Sequence, residues 1–91
     1  MHTIELLEQA TRLADSLGYG LRQEWLGGCG GGACEIAGRK WIFVDLSLGT
    51  TERLHQIISA LREDSRIYSI EFPAELAPLL EVPSHRGRKA A

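Results

Sequence analysis

The stretch "KWIFVDL", residues 40–46, places Trp41 and Phe43 on one side of an extended chain and Ile42, Val44 and Leu46 on the other. A strand here has apolar surface to bury on both faces, so the rest of the chain must supply what covers them. The material is limited. With 91 residues there is enough for one domain, since two halves of that length would each be too small to enclose a core.

The remaining segments sort by their periods. In "TIELLEQATRLADSLG" the residues Ile4, Leu7, Ala10, Ala14 and Leu17 recur at three and four, which predicts an amphipathic helix with Thr3 as its cap and Gly18 as its left-handed end. "YGLRQEWL" shifts to a period of two and predicts a strand over about 21–26. After the glycine run, "ACEIAGRKWIFVDLSL" predicts a hairpin: a strand over about 32–37, a turn at Gly38-Arg39, and the 40–46 strand. Helical spacing returns in Leu54, Ile57, Ile58 and Leu61, with Thr50 or Thr51 as cap and Glu52 suited to the positive end of the helix. "RIYSIEF" alternates and predicts a further extended segment, stopped by Pro73, before a short helical turn limited by Pro78. The expected fold is therefore α+β, in the order N-terminal helix, three-stranded antiparallel meander, second helix, extended segment and short C-terminal helical turn. One domain spans residues 1–82, and "HRGRKAA" with His85, Arg86, Arg88 and Lys89 makes 83–91 a basic, flexible tail.

Composition narrows the function classes. At 44% hydrophobic and 24% charged the chain is neither disordered nor fibrous. A formal charge of −2 gives no bias toward nucleic acid, and the four C-terminal cations are too few for a binding surface. No apolar stretch approaches the ~18 residues of a membrane span, and an acidic N-terminus is unlike a signal peptide, so a cytoplasmic protein without nucleic-acid or membrane partners is expected.

The feature that most resembles a site is "GGCGGGAC", residues 27–34. A phosphate loop needs a helix after its glycines and a Gly-Lys-Ser/Thr ending, and this loop has neither. Its glycines serve a sharp turn, a bulge, a close backbone approach or a flexible loop. Cys29 and Cys34 form C-x4-C, outside the C-x-x-C spacing of redox and zinc-knuckle pairs. As free thiols they are structural; as a pair, with His55 as third participant, they are the candidates for a thiol, redox or zinc site. No carboxylate is placed by spacing to orient His55, and a Cys34, His55, Asp45 triad has no support beyond composition. Trp25 and Trp41 pack in the sheet as aromatic strand residues do. If the helices leave one face of the sheet bare, Trp25, Trp41 and Phe43 become an exposed patch of the kind that binds partners.

The order of helix, strand, glycine-rich turn, "GRKWIFVDLSL" and "TTERLHQIISAL", residues 1–62, resembles the ImmA/IrrE-type metallopeptidase core, in which an apolar strand leads through a turn into a helix bearing H-E-x-x-H. The corresponding stretch here is His55-Gln56-Ile57-Ile58-Ser59, with the first histidine kept and both the general-base glutamate and the second zinc ligand missing. The resemblance implies a catalytically dead relative that keeps the fold as a peptide-binding module, with no zinc or peptidase role for Gln56 or Ser59. Since no catalytic set is complete, the sequence favours a non-enzymatic domain acting through association with a protein partner or with a second copy as a homodimer.

Overall fold

A computed structural model of the protein describes residues 2–28 and 30–82. Cys29 and the expected tail 83–91, with His85, lie outside the described residues. The chain runs α1 (Thr3–Ser16), β1 (Gly20–Glu24), β2 (Gly32–Ile36), β3 (Arg39–Asp45), α2 (Thr50–Arg62), a 3-10 turn (Ser65–Tyr68), a second 3-10 turn (Ala74–Leu76) and α3 (Ala77–Leu80). The α+β class and the order of helices and strands agree with the sequence.

The helix α1 begins at Thr3 itself, so the cap lies one residue earlier than expected: His2 is the capping position, and its backbone N–H donates to Glu5 Oε1 at 3.3 Å. It ends as the glycine dictates. Gly18 takes a φ of +91°, its N–H donates to Asp15 O at 2.9 Å, and the Tyr19 N–H donates to Ala14 O at 3.1 Å. These two bonds satisfy carbonyls that the last helical turn leaves open. Gly49, rather than Thr50 or Thr51, precedes α2.

The sheet corrects the expected antiparallel meander. Its order is β1-β3-β2, with β2 antiparallel to β3 and β1 parallel to it. A two-residue turn at Ala37 and Gly38, both at positive φ, closes the β2–β3 hairpin as a type I′ turn requires. β1 then pairs with the far side of β3, because residues 25–31 carry the chain over the end of β3 instead of folding straight back. The segment expected to be extended, 66–72, is a second correction. Asp64 accepts the Arg66 N–H at 2.9 Å and starts a 3-10 turn, which inserts Ile67 into the core.

Both long helices lie on one face of the sheet. Ala10, Leu13 and Ala14 of α1, Leu54, Ile57, Ile58 and Leu61 of α2, and Ile42 and Val44 of β3 form the core, closed at one end by Ile67, Phe72, Leu76, Leu80 and Val82. Burying one such aliphatic side chain contributes about 1.5–3 kcal/mol, so this single layer accounts for most of the apolar stabilisation. Ile4, expected in the buried stripe of α1, is instead 60% exposed in the first turn of the helix.

Candidate functional site

Arg39, Trp41 and Phe43 of β3 face away from the helices, and no element covers them. Register places Gly20, Trp41 and Cys34 in one row across this face, and Arg22, Phe43 and Gly32 in the next. Trp41 lies across β1: a Cβ on Gly20 would fall 2.6 Å from the ring carbon Cε3, so only glycine lets the indole settle on the sheet. The Arg39 guanidinium sits 4.6 Å from the Trp41 ring centre and that of Arg22 5.9 Å from Phe43, contacts in which the ring faces attract the cations. Arg22 also pairs with Glu24 at 2.6 Å. Ile36 adds aliphatic surface that is 52% exposed. Trp41 and Phe43 are thus partly exposed, as a bare sheet face requires. Trp25 lies beyond the last residue of β1 and is 76% exposed.

The glycine run is an arch. β1 and β2 flank β3, so residues 25–31 must cross two strand spacings, about 9.5 Å, above its end. The last residue of β3 holds the arch in place. Asp45 is enclosed, and its carboxylate accepts the Leu26 N–H at 3.0 Å, the Gly28 N–H at 2.6 Å, the Ser47 N–H at 2.9 Å and the Ser47 hydroxyl at 2.6 Å. Burial alone would raise its pKa, but these four donors outweigh burial and hold it at about 2. Gln56 of α2 fastens the other limb, accepting the Asp45 N–H at 2.9 Å through Oε1 and donating to Gly30 O through Nε2 at 3.1 Å. Gly31, at a φ of +103°, passes against Gln56 and the Phe43 carbonyl, where a Cβ would lie 3.1 Å from that oxygen. The loop therefore joins two edge strands, with Gly27, Gly28 and Gly31 in the left-handed region.

The sequence-derived candidates fall into separate places. Cys34 is an exposed free thiol on the open sheet face, while Cys29 lies outside the described residues. His55 is exposed on α2, and with Gln56 and Ser59 it lines a groove of about 470 Å³ against Gly31, Gly32 and Ala33. Asp45 makes no bond to His55, because its oxygens are occupied by the arch. Among the described residues no three His, Cys, Asp or Glu side chains come together in a way that could hold a metal ion.

Two groups that hold the fold together are missing from the sequence reading. One is the Asp45–Gln56 fastening, signalled only by the local Asp45-x-Ser47 pattern of an Asx turn. The other is buried Asp64, which accepts the Tyr19 hydroxyl at 2.8 Å and Arg66 Nη2 at 2.6 Å. The Arg66 guanidinium, acting against the opposing effect of burial, holds the Asp64 carboxyl well below the usual carboxylate range. Burial, then the hydrogen bond to Asp64, pushes the Tyr19 hydroxyl up. No local pattern announces a bond between residues 45 positions apart.

Comparison with protein-family models, curated proteins and solved structures gives no match. Among the described residues no helix is long and apolar enough to cross a membrane.

Proposed function

We propose that the chain is a non-enzymatic association module whose open sheet face docks a second copy of itself. The observation that supports this is β3, a central strand apolar on both faces with a helical layer over only one. Trp41, Phe43 and Ile36 supply the apolar centre of the docking face. Arg22 beside Glu24 supplies charges of both signs, which a two-fold axis can set against each other. Sedimentation equilibrium over a dilution series tests the reading. A monomer–dimer equilibrium is expected, and Ile36→Lys, at an exposed position, abolishes it without moving the thermal midpoint of the dilute monomer. Alkylation read at the Cys34 peptide rises as the dimer dissociates. A monomer at every concentration, with Cys34 equally reactive throughout, overturns the proposal.

The groove beside α2 favours a second reading, in which the peptidase resemblance survives as peptide binding. β2 is an edge strand, and residues 66–72, which could have covered an edge, form no strand. An extended peptide would add to β2 beside His55 and Ser59. Amide shifts confined to Gly32–Ile36 on adding an extended peptide, with no change in mass of the protein assembly, distinguish this reading from dimerisation.

A further inference from the structure

We infer that the cleft between α1, α2 and β1 binds a small organic carboxylate with an apolar body. This cavity, about 490 Å³, lies on the helix side of the sheet, away from the docking face, and its size is that of a small-molecule site. Leu7, Leu21, Val44 and Ile57 form an apolar floor. Two guanidiniums stand at the cleft: Arg12, one helical turn after Glu8 on α1, and Arg53, one turn before Ile57 on α2.

Among the described residues neither arginine side chain has a protein acceptor. Among the described residues neither side chain takes part in an ion pair, whereas Arg22, Arg62 and Arg66 each do. Among the described residues two buried side-chain polar atoms are left without a hydrogen-bond partner, Gln9 Oε1 and Arg53 Nε, and the second belongs to a residue lining the cleft. A buried N–H without an acceptor is destabilising, and a ligand oxygen that reaches it removes that penalty. The ligand is a carboxylate because a guanidinium fork matches its two oxygens. It carries one negative charge because Arg12 and Arg53 against Glu8 leave the cleft one positive charge in excess. Its body is apolar because the floor is.

Titration of the full chain with sodium octanoate, followed by amide chemical shifts, tests the inference. Saturable shifts are expected at Thr11, Leu21, Gln23, Arg53 and Ile57, and 1-octanol, with the same chain and no charge, binds about tenfold more weakly or worse. Arg53→Gln and Arg12→Gln each weaken octanoate binding by about tenfold, the scale of one lost charge-assisted hydrogen bond. Amide dispersion reports whether each variant is folded. Should Arg53→Gln unfold, exposed Arg12 and the octanol comparison on the unmodified protein decide the matter. Absence of saturation, equal affinity for octanol, or shifts centred on Trp41 and Phe43 overturns the inference.

Discussion

The two faces of β3 carry side chains of similar hydrophobicity and meet different fates. Ile42 and Val44 are packed under α1 and α2, at 0% and 4% exposure, while Trp41 and Phe43, one residue along in each case, look out from a bare sheet. The difference shows that alternation sets which residues share a face, but the number of covering elements sets which face becomes core. Both long helices go to one side, so the other face is finished by different means: an indole laid over Gly20 and guanidiniums over aromatic rings.

The comparison breaks most severely at the packed face. Ile42→Ala leaves a cavity beneath two helices and is expected to cost about 3 kcal/mol, read as a lowered urea midpoint. Gly31→Ala comes next, at about 2 kcal/mol, since the new methyl group combines a left-handed φ with a collision against Gln56 and the Phe43 carbonyl. Acid then separates the faces without any mutation. Asp45 titrates at about 2 when folded against 3.8 as an ordinary side chain, so the folded state binds its proton less tightly and the carboxylate stabilises the fold above about pH 4. That contribution is lost as pH falls from about 4 through 2. The protection factors of the Leu26 and Gly28 amides should fall in this window before that of Ile42 does, and in Asp45→Asn the window should disappear. The smallest effect belongs to the most exposed aromatic residue. Trp25→Ser is expected to change stability by less than about 0.5 kcal/mol in the same urea measurement.

Much of the fold was legible because its signals are local. Leu54, Ile57, Ile58 and Leu61 announce α2 through spacing alone, and all four are buried. Gly18 announces the end of α1, and residues 32–45 announce a hairpin, with the turn displaced by one residue to Ala37-Gly38. Strand order was not legible, because the same apolar pattern in β1 permits either direction against β3. The expected 66–72 strand failed for a related reason: Ile67 in a 3-10 turn reaches the core as well as it would from a strand, and Asp64 decides between them by capping. Of the candidate site, the openness of the Trp41–Phe43 face was legible only as a condition on helix placement. The purpose of the glycine run became visible once Asp45 and Gln56 were seen to grip it, since neither residue type advertises a loop anchor.

The parallel pairing of β1 with β3 also orders events in time. The β2–β3 hairpin needs only a two-residue turn, but β1 meets β3 at a constant offset of 21 positions, from Gly20 with Trp41 to Glu24 with Asp45. Closing the longer loop costs more entropy, and the nearer hairpin edge has to exist before β1 has anything to join. β1 is therefore the late arrival in folding, joining a hairpin edge that is already in place.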